Sequence, residues 1–215
     1  MNIQTTPLTL RTDGAFVLIR KRGGQQLVTT RKDNGKFDLP GGGVKGRFIQ
    51  PGETLPEGKV REIYSKLYWG ETSLEAACRE TLTEIGFNAT PTDDGSVMTT
   101  AVGTYPQIVL ERMDGEVVNR HHGFSHLFLS MGKAVDMLDI DKLFLRQGEV
   151  AAAQFMTIGE IIANRDKFSL GPLRMILAHH RDLNDPNVDK DRGVYSYGAL
   201  KNPVVVKIGG TEYAV

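Results

Sequence analysis

Two glutamates one helical turn apart carry the clearest chemistry in this sequence of 215 residues. Glu80 and Glu84 lie at i and i+4 within a segment, 72–85, whose less polar residues recur with helical spacing: Leu74, Cys78, Thr81 and Ile85. Both carboxylates would therefore leave one flank of the same helix and reach the same cation. Because Mg²⁺ prefers oxygen ligands, the spacing predicts a helix that can hold a divalent metal ion. Gly86 is expected to end that helix.

The phrase that carries these glutamates occurs nearly twice. GETLPEGKVRE covers residues 52–62, and GETSLEAACRE covers residues 70–80. The first copy contains Pro56 and Gly58, which disfavour a helix interior by about 3 and about 1 kcal/mol relative to alanine. It is also followed by a Lys where the second copy has its second carboxylate. We therefore expect the second copy to be the site and the first to belong to an inserted loop.

Strands and helices must position this segment. Residues typical of strands dominate five runs: 13–22, 25–31, 95–105, 106–113 and 116–131. Helical spacing recurs at 158–165 and 172–183. Glycine pairs at 23–24 and 209–210 predict hairpins. This order of elements predicts a mixed α/β sheet with helices packed on its faces.

Composition narrows the function classes. The 26 basic and 26 acidic side chains balance, which argues against nucleic acid as a general partner. A single cysteine excludes an intramolecular disulfide framework and suits a reducing compartment. No apolar run approaches the roughly 20 residues of a membrane span. We expect a cytoplasmic protein without a membrane partner.

The second copy and its surroundings resemble the Nudix hydrolase family. The matching residues are Gly70-Glu71, Arg79-Glu80 and Glu84-Ile85-Gly86-Phe87. FDLPGGGV at 37–44 is similar to the entrance of the family's motif, and GEVAAAQFMTIGEI at 148–161 is similar to its late segment. Two departures stand out. Between Gly42 and Glu71 lie 28 residues where the pattern has five, an insertion of about 23, and Thr83 replaces the first glutamate of a Glu-Glu pair.

The resemblance implies an α/β fold, a Nudix-type α/β/α sandwich with a mixed sheet between helices. It implies a Nudix domain over 1–183, with 45–68 as the inserted loop and 184–215 as a C-terminal extension ending in a hairpin. The implied activity is divalent-metal-dependent hydrolysis of the phosphoanhydride in a nucleoside diphosphate linked to another moiety. The alternative is a catalytically weak module that binds a nucleotide or a protein partner, which Thr83 favours.

Site roles follow from the same resemblance. The implied Mg²⁺ ligands, with Mn²⁺ as a substitute, are the Gly41 carbonyl, Glu80, Glu84 and Glu149. Glu149 is alternatively the general base, and Glu71 with Arg79 would form a supporting ion pair. For the nucleotide substrate, Arg31 is placed to meet a phosphate or is a plain strand-end charge. Tyr105 either contacts substrate or packs in the core. The inserted loop is expected to cover the cleft or an oligomer contact, so a homodimer is one expectation.

Other patterns predict neither a zinc site nor a dinucleotide site. In an extended strand His122 and His126 share one face and His121 points to the other, so no zinc set is complete, and a structural or substrate-facing role is expected for them. His179 and His180 near a helix end are expected to be surface cations. Glycines at 41, 43 and 46 match a dinucleotide fingerprint, but that motif requires a helix to follow at once, and 47–58 contains two prolines and two glycines.

Overall fold

A computed structural model describes residues 13–48, 68–113, 116–184 and 205–214. Its strands are β1 Gly14–Ile19, β2 Gln26–Arg31, β3 Phe37–Asp38, β4 Gly41–Gly43, β5 Gly46–Phe48, β6 Tyr68–Gly70, β7 Met98–Met113, β8 Glu116–Met131, β9 Val150–Met156, β10 Val205–Ile208 and β11 Thr211–Ala214. Its helices are α1 Ser73–Ile85, α2 Lys133–Asp136, α3 Ile158–Ala163 and α4 Leu170–Asn184, with 3₁₀ turns at Ile140–Lys142 and Arg165–Lys167. None of the helices in these ranges is long and apolar enough to cross a membrane.

The central sheet has four strands in the order β4-β1-β8-β7. Strand β1 runs parallel to β8, with Gly14 opposite Ser125, and antiparallel to β4. The sheet is therefore mixed, as predicted. The two β-rich runs at 95–105 and 106–113 form the single strand β7, which pairs with β8 as a long hairpin.

The sequence predicted a hairpin between β1 and β2. The turn is present, but the two strands belong to different sheets, so the predicted strand pairing is wrong. Gly24 N–H donates to the Lys21 carbonyl at 2.8 Å, and one bridge joins Arg20 to Gln26. Beyond that bridge β2 leaves for a separate three-stranded sheet, β3-β2-β9. The physical reason lies in β1, whose two edges are already occupied by β4 and β8.

Strand β1 separates two hydrophobic clusters because its side chains alternate between faces. Val17 packs with Ile85 of α1 on one face, and Leu18 packs with Ile176 of α4 on the other. Helices thus cover both faces of the sheet, which confirms the predicted α/β/α sandwich.

The ends of the predicted inserted loop pair with each other. Strand β5 runs antiparallel to β6, with Gly46 opposite Gly70. The residues after Gly46 form a strand, so no helix follows the glycines of the dinucleotide-like pattern. The first copy of the repeat, 52–62, lies outside the described residues, and the domain limits at 183 and 184 stay predictions.

One expectation about helix α4, that His179 lies at the surface, is wrong. His179 is 2% exposed among the apolar residues of this helix, and burial lowers its pKa to about 4. The prediction of a surface cation was wrong because helical spacing in 172–183 leaves His179 on the buried face. The chain closes with β10 and β11, which form the predicted hairpin and place Val206 in the cluster beneath α4.

Candidate active site

Helix α1 presents the two predicted glutamates, and its ends are set by local sequence. Thr72 caps the N-terminus through a reciprocal pair of hydrogen bonds with Glu75, a device typically worth about 1 kcal/mol. Gly86 ends the helix in the left-handed conformation, with φ of 71°. The helix therefore begins and ends where the spacing predicted.

The glutamate flank of α1 faces the glycines of β4. Gly41 N–H donates to Glu84 Oε2 at 3.0 Å. A Cβ added to Gly42 would lie 2.8 Å from Glu80 Cδ. The buried surface of α1 is consequently wider than predicted: Ala76 and Ala77 are buried with Thr81 and Ile85, whereas Leu74 and Cys78 are only partly buried.

Arg79 ties this helix to the chain that enters it. Its guanidinium donates to both carboxylate oxygens of Glu71, at 2.6 and 3.0 Å, in a bidentate pair. It also contacts the Glu80 carboxylate and donates to the Gly43 carbonyl at 3.1 Å. Glu71 in turn accepts from Lys45 N–H at 2.6 Å. The predicted pairing of Glu71 with Arg79 is therefore present in the structure.

Glu84 has the most perturbed carboxylate of the site. Burial, together with the nearby charges of Glu80, Glu149 and Asp38, raises its pKa to about 7, while the hydrogen bond from Gly41 N–H acts in the opposite direction. Burial also raises the pKa of Asp38. Negative charge is thus concentrated here without full compensation, an arrangement that a bound cation would stabilise.

The two glutamates of α1 line a cleft of about 790 Å³, which is referred to as the cleft from here on. Its lining combines carboxylates, cations and apolar groups: Glu80, Glu84, Glu149, Arg31, Lys45, Arg79, Arg146, Leu82, Phe144, Thr83, Gly41 and Gly42. A second cavity of about 80 Å³ lies beside it, where Glu84 and Glu149 meet Asp38 and Arg31.

Glu149 lies in the segment that leads into β9. Its carboxylate pairs with Arg146 at 3.1 Å, and both side chains are about half exposed. Such a pair contributes at most about 1 kcal/mol, so it can be exchanged for other partners. Arg146 N–H donates to the Glu84 carbonyl at 2.8 Å, which attaches this segment to α1.

The two candidate substrate contacts differ in their surroundings. Arg31 lines the cleft, donates to Asp33 at 3.0 Å and lies 3.7 Å from Asp38. Tyr105 is 3% exposed and packs in the cluster beneath α4. The structure therefore places Arg31 at the cleft and Tyr105 in the core, the second of the two readings that the sequence left open for the tyrosine.

Thr83 lines the cleft but turns its hydroxyl back to the helix. The hydroxyl donates toward the carbonyls of Arg79 and Glu80, at 2.9 and 3.1 Å. Such bonding to the preceding turn is common for threonine in helices. The oxygen that replaces the family's carboxylate is thus engaged with backbone groups.

The donor set fits a hard divalent cation that keeps much of its water. Among the described residues, no group of three or more His, Cys, Asp or Glu side chains has the spacing of a metal cluster. Mg²⁺ is usually bound through one or two carboxylates, with water and substrate phosphates as its remaining ligands. Two adjacent carboxylates, one of them with a raised pKa, meet that requirement.

Sequence reasoning missed four cleft residues: Lys45, Leu82, Phe144 and Arg146. Lys45 stands at the edge of the insertion, Leu82 lies on α1, and Phe144 and Arg146 belong to the segment between the 3₁₀ turn and β9. Each reaches the cleft through contacts between distant parts of the chain. The only local signals were an aromatic residue between two leucines and a basic residue three positions before Glu149.

His126 belongs to a different part of the sheet. Its imidazole lies 3.6 Å from Asp13 and 3.2 Å from the Thr104 hydroxyl, in the row where β7, β8 and β1 pair. It is absent from the lining of the cleft. The other two histidines whose side chains the structure describes, His179 and His180, are likewise absent from the cleft lining.

Comparisons with known proteins agree on the fold. The profile of the NUDIX domain matches residues 10–177. A Bacillus subtilis (strain 168) protein named "Putative 8-oxo-dGTP diphosphatase" is 46% identical over 52 residues, which cover 24% of this chain and 32% of that protein, so the match spans about a third of the relative's length. The crystal structure of a MutT protein from Methanosarcina mazei Go1 superposes with a TM-score of 0.52 at 16% identity, covering 83% of this chain and 99% of that one. The E. coli dihydroneopterin triphosphate pyrophosphohydrolase covers 77% and 92% at 14% identity, with a TM-score of 0.49.

Proposed function

Because the chain belongs to the NUDIX family, we propose that it hydrolyses a phosphoanhydride bond in a nucleoside diphosphate linked to another moiety, with Mg²⁺ as cofactor. The observation that carries this proposal is the cleft itself. Three carboxylates, Glu80, Glu84 and Glu149, line it together with four basic side chains. Carboxylates suit a cation and basic groups suit phosphates, so the lining matches a metal-bound polyphosphate.

Glu80 and Glu84 are the proposed ligands, together with the Gly41 carbonyl. When bound, a divalent cation neutralises adjacent phosphates and makes a coordinated water more acidic. The protein holds the two carboxylates in place through Gly41 N–H, which donates to Glu84, and Arg79, which contacts Glu80. Mn²⁺ is the proposed substitute, because carboxylate and water ligands suit both ions.

The basic residues divide into two groups. Arg79 is engaged by Glu71 and Glu80 and is proposed to keep the helix in register with β4. Arg31, Lys45 and Arg146 line the cleft with more exposed side chains and are proposed to orient phosphates. Guanidinium groups suit this task because they bind phosphate oxygens through two parallel hydrogen bonds.

Glu149 is proposed to accept a proton from the attacking water or to bind the metal. Its pairing with Arg146 is half exposed and weak, so a phosphate that attracts Arg146 would release the carboxylate. Binding of substrate would then prepare the base. A general base must lie near the reacting groups, and Glu149 lines the same cleft as Glu80 and Glu84.

A second candidate function is a binding module with little or no turnover. Thr83 favours it, because its hydroxyl bonds to helix carbonyls and leaves one carboxylate fewer in the cleft. Glu80, Glu84 and Glu149 favour the enzyme. Metal-dependent turnover separates the two.

The test is a substrate screen with Mg²⁺ and with Mn²⁺. It includes nucleoside triphosphates, 8-oxo-dGTP among them, nucleotide sugars and dinucleoside polyphosphates. We expect turnover that EDTA abolishes. Metal-dependent nucleotide binding without turnover on any substrate would instead support the binding module, and no binding at all would contradict both. Cytoplasmic location, a homodimer and the division at residues 183 and 184 accompany this proposal as further expectations.

A further inference from the structure

Two apolar side chains line the cleft. Phe144 is 69% exposed and Leu82 is 48% exposed, and the rest of the lining includes charged groups. Among the described residues, Phe144 is the single aromatic side chain in this lining. An exposed aromatic ring beside a cationic cleft is not accounted for by the packing of the core.

The backbone holds Phe144 in position. Leu143 and Leu145, on either side, pack against the cluster beneath α1, so the intervening side chain must point outward. Leu143 N–H donates to the Ile140 carbonyl at 3.1 Å. A Cβ added to Gly86 would lie 2.9 Å from Phe144 Cβ, so this segment rests directly on the end of α1. The ring is thus exposed on an anchored support.

We propose that Phe144 is a stacking platform for the base of a nucleotide whose phosphates occupy the cleft, with Leu82 beside it. A flat, exposed ring can stack on a base. In complexes of proteins with single-stranded nucleic acids, replacing such a stacking aromatic residue by alanine measurably weakens binding. This inference rests on the proposed function and deepens it. It names the residue that would contact the base of the nucleotide, a group that a sugar phosphate or inorganic polyphosphate lacks.

The chain offers a matched control. Met137 is 71% exposed, lies seven residues before Phe144 and is absent from the cleft lining. Truncating either side chain removes a similar exposed apolar group without opening the core. The variants are Phe144→Ala, Phe144→Leu, Phe144→Trp and Met137→Ala.

The assay compares a ligand with a base and a ligand without one. KM and kcat are measured for GTP or 8-oxo-dGTP with Mg²⁺, and inorganic triphosphate is titrated as a competitive inhibitor. We expect Phe144→Ala and Phe144→Leu to raise KM for the nucleotide by about tenfold, with kcat and the Ki of inorganic triphosphate unchanged. Phe144→Trp should restore the wild-type KM, and Met137→Ala should behave as wild type.

Three results would overturn the proposal. The first is an equal loss for nucleotide and inorganic triphosphate, and the second is an equal loss for Met137→Ala. The third is a changed oligomeric state in Phe144→Ala with unchanged nucleotide KM, because the ring would then serve a protein contact. If the wild type turns over no substrate, the proposed function fails separately. Equilibrium binding of GTP and inorganic triphosphate to wild type and Phe144→Ala then decides the stacking role, which requires selective weakening of GTP.

Discussion

Replacing Gly42 by alanine should damage the site while leaving the fold intact. The new methyl group would lie 2.8 Å from Glu80 Cδ and 2.9 Å from its Oε1. Carbon atoms in contact prefer about 3.5 to 4.0 Å, so the carboxylate must move by roughly 1 Å. The obstacle is the end of a flexible side chain, and the φ of Gly42 lies outside the range that favours glycine, so the backbone accepts alanine.

A displacement of this size is large for catalysis. A misplacement of about 1 Å can cost about a hundredfold in rate. We therefore expect Gly42→Ala to lower kcat/KM by about a hundredfold in the Mg²⁺ assay. The melting temperature should move by no more than about 2 °C, the shift expected of roughly 0.5 kcal/mol in a domain of this size.

Two neighbours in β4 provide the comparison. A Cβ on Gly43 meets no heavy atom within 4 Å, so Gly43→Ala should retain wild-type turnover. A Cβ on Gly41 would lie 2.4 Å from the Ala15 carbonyl oxygen, so Gly41→Ala should lower the melting temperature markedly. Wild-type turnover in Gly42→Ala, or an equal loss in Gly43→Ala, would refute the reasoning.

Three other predictions test the remaining assignments. Glu84→Gln should lower turnover by about a hundredfold or more because it removes a ligand charge, and Glu62→Gln by less than about fivefold; equal losses would contradict the choice of the second copy. Thr83→Glu should tighten Mg²⁺ binding by about tenfold in a metal titration, and unchanged affinity would mean that the hydroxyl is no defect. The pKa of His179 is about 4 in the folded chain and 6.5 for the free group. Between these values the unfolded chain binds a proton that the folded chain does not, so the contribution of His179 to the free energy of unfolding should be complete above about pH 6.5 and fall toward pH 4, by up to about 1.4 kcal/mol per pH unit. When the free energy of unfolding is measured with denaturant at several pH values, His179→Leu should remove this part of its pH dependence. An unchanged pH dependence would argue against a neutral buried imidazole.

Local features were predictable where local energy decides them. Thr72, Glu75 and Gly86 define the ends of α1 through hydrogen bonds within a few residues, and Glu80 and Glu84 share a flank by helical geometry alone. The partner of that flank was not predictable in the same way. Gly41 and Gly42 approach it across more than 35 residues of chain, so only the resemblance to a known motif brought them together.

Misassignments arose where distant partners compete with local preference. The turn at Gly24 favours a hairpin, yet β1 pairs with β8, more than 100 residues away, and β2 goes elsewhere. His179 follows the apolar residues 175–178, but its position near the helix end led to the prediction of a surface cation. Phe144 and Arg146 belong to an irregular segment whose position depends on contacts with the end of α1.

Because β5 pairs with β6, the geometry of the cleft does not depend on the length of the chain between these two strands. Gly46 lies opposite Gly70, and Lys45 and Glu71 exchange hydrogen bonds immediately beyond, at 2.6 and 3.1 Å. The segment that enters α1 is therefore held by the pairing of β5 with β6, whatever the length of the chain that connects these strands. Each doubling of a connecting loop costs only about 0.6 kcal/mol in closure entropy. Evolution, or a protein engineer seeking a place for a new terminus or a grafted domain, can thus alter that connection while the carboxylates of the cleft keep their place.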